Sequence, residues 1–117
     1  MPAIGETGVS FDNVSREWRC KYAMDADGTP LKSATLKAAQ ALLEEYLPTL
    51  KALPKAEVKR VVCGGCGDFK VIVKQPLAEH DAWKASGFAP EEEFLAKLKA
   101  IEGASSVEAQ EYTDEVL

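Results

Sequence analysis

Apolar and polar positions alternate from Val14 to Met24, where Trp18, Cys20, Tyr22 and Met24 interleave with Glu17, Arg19, Lys21 and Ala23. A period of two is that of a strand with one buried face. The spacing then changes. Leu36, Ala39, Leu43, Tyr46, Leu50 and Leu53 recur every three or four positions, as on one stripe of a helix. Pro48 removes a backbone donor inside that stripe, which predicts a kink or a short break. Two β-prone runs follow, Val58 to Cys63 and Phe69 to Lys74, facing each other across Cys63-Gly64-Gly65-Cys66-Gly67. Glycines between such runs supply the positive φ values of a hairpin turn. Leu77 to Lys84 reads as a short helix with Trp83 inward, interrupted by Ser86-Gly87-Phe88-Ala89-Pro90. Pro90 suits the first turn of a renewed helix, with Glu91, Glu92 and Glu93 near its positive end and Phe94, Leu95, Leu98 and Ile101 as its apolar face. Gly103 is a good helix stop, and Val107 and Ala109 alternate with Glu108 and Gln110 in a last strand.

This order predicts an α+β fold of the ferredoxin-like βαββαβ kind, a four-stranded antiparallel sheet with two helices on one face. Strands are expected at about 14–24, 57–63, 67–75 and 105–114, with the first and third as a central pair running parallel. The helices would cover Trp18, Cys20, Tyr22, Phe69, Val71 and Val73. Glu17, Arg19, Lys21, Lys70, Ile72, Lys74, Glu108, Gln110 and Tyr112 would lie on the open face. Residues 1–13, small and polar without a period, read as a flexible arm in which Phe11 docks on the body, and 14–117 as a single domain.

With 117 residues, 46% hydrophobic and 28% charged, the chain has ordinary globular composition. Its net charge of -5 argues against nucleic-acid and anionic-membrane partners, which need clustered Lys and Arg in excess. No basic, apolar leader and no run of about 20 apolar residues is present, so a cytoplasmic location is expected. Three cysteines, an odd count, suit thiols in a reducing compartment better than a disulfide framework.

The candidate chemistry is sparse. Asp25-Ala26-Asp27-Gly28 lacks the later ligands of a calcium loop and reads as a turn before a helix cap. Cys63 and Cys66 match half a zinc knuckle, so a metal site would need thiolates pooled from two chains. A parallel central pair would put Cys20 about 13 Å along the sheet from that turn and His80 nearly 30 Å away. Three positions apart in a turn, Cys63 and Cys66 are expected as accessible thiols that oxidise readily to an intrachain bridge, with Cys20 inert. His80, between Glu79 and Asp81, reads as a surface residue, or as a general base should a pocket form above it. Trp18 and Trp83 read as core.

Gly65-Cys66-Gly67-Asp68-Phe69 opening a Val-rich strand, a helix, and then Leu98-Lys99-Ala100-Ile101-Glu102-Gly103-Ala104-Ser105-Ser106-Val107-Glu108 resemble the effector-binding domain of the leucine-responsive (feast/famine) regulators over about half the chain. The resemblance implies a dimeric α+β barrel, two sheets packed open face to open face, with Gly67-Asp68 near a small-ligand pocket at the subunit junction. The acidic charge, the Cys63-Gly-Gly-Cys66 turn and the lack of a helix-turn-helix depart from that family, and its regulatory activity is not expected here.

Two function classes follow. The first is a homodimeric ligand-binding or interaction module without a cofactor. The second is a small enzyme, either a cofactor-free barrel oxygenase or isomerase using His80, or a thiol redox or metal protein using Cys63 and Cys66. Candidate ligand-binding or redox residues are Cys63, Cys66, Gly67, Asp68, His80, Arg19 and Lys70.

Overall fold

In the computed structural model, which describes residues 2–117, the alternating runs form four strands and the periodic ones three helices. In chain order these are β1 (Asn13–Lys21), α1 (Ala34–Lys51), β2 (Glu57–Cys63), β3 (Asp68–Pro76), α2 (Leu77–Ala85), α3 (Glu91–Lys99) and β4 (Ser105–Tyr112). The strands make one sheet in the order β2-β3-β1-β4, and every neighbouring pair is antiparallel. The expectation of a parallel central pair is thus incorrect. After β1, helix α1 carries the chain back across the sheet, so β2 starts at the same end as β1. The hairpin then reverses direction into β3, which must oppose β1. Cys20 consequently lies opposite Phe69 and Lys21 opposite Asp68, at the hairpin end rather than some way along the sheet.

The interruption expected at Ser86 to Pro90 separates α2 from α3, so three helices rather than two pack on the sheet. All three helices contribute to one core on one face of the sheet. α1 continues through Pro48 to Lys51 without a break. The lost bond lies in the last turn, and fully buried Leu50 anchors that turn against the core. Gly103, just after α3, has φ +90. A Cβ there would meet Thr35 Oγ1 and approach Ala23 Cβ to 2.9 Å, so the close approach of this corner to α1 requires glycine.

Trp18 occupies the centre of the core at 1% exposure. Its ring stacks on Phe94 with centroids 4.7 Å apart and tilts against Trp83 at 6.1 Å. A buried indole N–H needs an acceptor. Glu91, in the first turn of α3, supplies it: Trp18 Nε1 donates to Glu91 Oε1 at 2.8 Å. The same carboxylate receives Arg16 in a two-pronged pair, 2.7 Å from Nε and 3.1 Å from the second nitrogen. The Arg16 guanidinium also sits 4.0 Å over the Phe88 ring. One carboxylate therefore ties α3 and the segment before it to β1.

The open face is more closed than its alternation suggests. Ser15 and Glu17 are only 2% and 3% exposed, although no helix covers them. Tyr112 donates to Glu17 Oε1 at 2.9 Å, and Arg19 lies 3.7 Å from Oε2. Long neighbouring side chains lie across the small and acidic ones. Burial and the bond to Glu17 together raise the Tyr112 hydroxyl above its usual pKa.

Replacing Glu91 tests the link. Glu91→Ala leaves the Trp18 N–H and Arg16 without their acceptor and should destabilise the fold by roughly 2–4 kcal/mol in chemical denaturation. Glu91→Gln keeps an acceptor for Trp18 and should cost about half as much. Equal losses for the two variants would show that the indole bond contributes little.

Candidate functional site

The loop from Asp25 to Ser33 is built around one carboxylate. Asp25 accepts from the Thr29 hydroxyl at 2.7 Å and from the backbone N–H groups of Asp27, Thr29 and Lys32, each at 3.0 Å. These bonds, the Thr29 hydroxyl foremost, hold its carboxyl below the usual range. The turn expected in place of a calcium loop is present. Ser33 caps α1, its side chain accepting from Leu36 N–H at 3.1 Å.

Between this loop, the start of α1 and the edge strand β2 lies a cleft of about 800 Å³. Leu36, Val62 and Phe69 make its apolar floor, and Pro30 and Leu31 one wall. Lys32, Lys37 and Arg60 bring three cations to it, and among the described residues no carboxylate lines it. Arg60 is steadied by donating to Gln40 Oε1 at 2.7 Å. Leu31 is 86% exposed at the rim. None of the residues singled out from the sequence lines this cleft. The available signal was the Lys32, Lys37, Arg60 set, but only the docking of β2 beside α1 brings Arg60 to the two lysines.

The hairpin end of the sheet gathers six of the seven sequence-derived candidates. Cys63 and Cys66 are joined by a disulfide, with Cα atoms 5.5 Å apart, so neither offers a metal-binding thiolate in this form. Gly67 has φ +68, and a Cβ there would stand 3.2 Å from the Tyr22 carbonyl. It closes the turn by donating to Cys63 O at 3.1 Å and accepting from Tyr22 N–H at 2.9 Å. Asp68 lies 2.6 Å from Lys21 Nζ and 3.6 Å from Arg19. The Lys21 bond foremost holds its carboxyl below the usual range. Arg19 stands among Asp68, Glu17 and Glu108, so its charge is shared within the chain. Lys70 lies opposite Arg19 on the open face. Among the described residues no group of three or more His, Cys, Asp or Glu is arranged to hold a metal ion.

Cys20 is buried on the helix side. Burial first, and the Asp68 charge second, push its thiol up to about 11.

His80 is not at the surface, contrary to its reading from flanking charges. It is 1% exposed, packed against Phe88 at 5.4 Å and Trp83 at 6.5 Å. Its position three residues before Trp83 puts both on the inner face of α2, a periodicity legible in the sequence. Nε2 lies 2.7 Å from Glu111 Oε2, and Nδ1 has no partner. A small, mostly apolar hollow of about 280 Å³ adjoins this pair, lined by Ile4, Phe11, Val14 and Leu77. It lies at the opposite end of the sheet from the disulfide turn, so His80 and the cysteines do not form one site.

Glu111 is held below the usual carboxyl range by its bond to His80 first and by Lys84 next. A depressed folded-state pKa gives stability that is present above the ordinary value of 4.5 and lost as pH falls through the folded value. Denaturation midpoints between neutral pH and about pH 3 should therefore fall less steeply in Glu111→Gln than in the natural chain. Parallel curves would show that the pair contributes nothing to acid sensitivity. Compared with protein-family models, curated proteins and solved structures, the chain matches none.

Proposed function

We propose that this chain is a small-ligand-binding module of ferredoxin-like layout, and that the cleft between α1 and β2 takes a small anion with an apolar body. The observation that carries this reading is the sign of the cleft. In a chain of net charge -5, this cleft of about 800 Å³ is lined by three cations and, among the described residues, by no acid. The Arg60 fork suits a carboxylate or phosphate, and Lys32 and Lys37 add point charges beside it. α1 runs 18 residues and carries no acidic residue in its first turn, so its positive end adds to the same field. Leu36 and the exposed Val62, backed by the buried Phe69, give the ligand's apolar part a surface to cover.

The test is a titration of the chain with aromatic and aliphatic carboxylates and with phosphate monoesters, followed by amide chemical shifts. Binding should perturb Leu36, Lys37 and Val62, weaken with added salt, and fall by roughly 10–100-fold in Arg60→Ala. Perturbation confined to the His80 end, or affinity unchanged in Arg60→Ala, would remove the cleft as the binding site.

A second reading, self-association through the open face, is favoured by the apolar groups that face carries. Ile72 on β3 and the half-exposed Val61 on β2 lie on it, while its lysines are matched within the chain, Lys59 by Glu57 and Lys74 by Asp114. A second copy packed on this face would cover both apolar groups. Sedimentation at micromolar concentration should then show a dimer that Ile72→Glu converts to monomer. A monomeric natural chain would dismiss this reading.

A further inference from the structure

The disulfide turn contains features that the cleft does not use. The turn's shape does not depend on the bridge. Tyr22 OH donates to Cys63 O at 2.8 Å, Gly67 N–H to the same oxygen at 3.1 Å, and Lys21 Nζ to Cys66 O at 3.0 Å. β2 and β3 are paired up to Cys63 and Asp68. A bridge spanning only three positions of an already closed turn removes little chain entropy, so its loss costs the fold little. The two sulfurs are also unequal. Cys66 is exposed and Cys63 half-buried, and the Cys66 backbone N–H donates to Cys63 Sγ at 3.2 Å. That bond stabilises negative charge on Cys63.

From this asymmetry we propose that Cys63–Cys66 is a thiol–disulfide exchange site, attacked at Cys66 by an external thiolate, with Cys63 as the leaving sulfur. The thiolate R–S⁻ forms a new S–S bond to Cys66 Sγ. The Cys63–Cys66 bond breaks, and its electron pair leaves on Cys63 Sγ, facing the Cys66 N–H. A second thiol then attacks the R sulfur of the mixed disulfide, releasing RSSR and the Cys66 thiolate. Two thiols are oxidised, the bridge is reduced by two electrons, and the two thiol protons pass to Cys63 and Cys66. Lys21 Nζ is held 2.6 Å from Asp68 Oδ1, whose carboxylate lies opposite Cys63, so these two charges offset one another at the turn and the assignment rests on the Cys66 N–H and on the greater exposure of Cys66. Cys20 cannot stand in for the external thiol, because it is buried on the opposite face of the sheet from Cys63 and its thiol is pushed up to about 11.

Cys20 also supplies an internal control. When the oxidised full-length chain is treated with dithiothreitol in native buffer and pulse-alkylated, Cys63 and Cys66 should label while Cys20 does not, with an unchanged circular-dichroism spectrum. Labelling of the pair only together with Cys20 would mean that the bridge opens by unfolding, and would overturn the proposal. The leaving-group assignment is tested by alkylation rate against pH in the single variants. Cys63 in Cys66→Ser should reach half its maximal rate at a lower pH than Cys66 in Cys63→Ser; equal midpoints or the reverse order would overturn the assignment. With dithiothreitol as electron donor and insulin as acceptor, the natural chain should speed reduction roughly tenfold over the folded double serine variant. Equal rates would overturn the exchange activity. None of these outcomes depends on whether the cationic cleft binds an anion.

Discussion

Burial of the Trp18 indole sets the terms for the rest of this fold. The ring sits in the middle strand of the sheet's helix-covered face, stacked by Phe94 and tilted against Trp83, so its polar N–H lies where water does not reach. Glu91, carried in on α3, accepts from it while also pairing Arg16 two residues earlier on the same strand. α3 cannot slide along the sheet without losing both. The position of α3 in turn places Gly103 against α1 and directs the chain into β4.

The antiparallel sheet then has two chemically different ends. At the hairpin end lie the disulfide and the ion pairs of Arg19, Lys21 and Asp68. At the other end, where β3 runs into α2, His80 is buried among aromatic rings and pairs outward with the exposed Glu111. The cationic cleft lies beside the hairpin end, since Val62 lines it immediately before Cys63 and Pro30 touches the turn at 3.6 Å from where a Gly64 side chain would begin. The cationic cleft and the disulfide turn are therefore neighbours, whereas the histidine is remote from both.

The features legible in the chain before folding are local: where periods of two and 3.6 begin and end, that Trp18 and Trp83 are core, that the cysteines flank a glycine turn, and that Asp25 opens a turn rather than a cation loop. These follow from short-range pattern and backbone geometry, which neighbouring residues set among themselves. Strand direction did not follow, because it depends on how α1 crosses the sheet, and the placement of Cys20 was wrong for the same reason. The charged neighbours of His80 along the chain point to exposure, but on α2 it is the inner face shared with Trp83 that decides its burial. Glu17 is buried by Tyr112 and Arg19, and the cleft is closed by Arg60 docking beside Lys32 and Lys37. Both arise between residues far apart in the chain, so they exist only once the sheet and α1 have packed together.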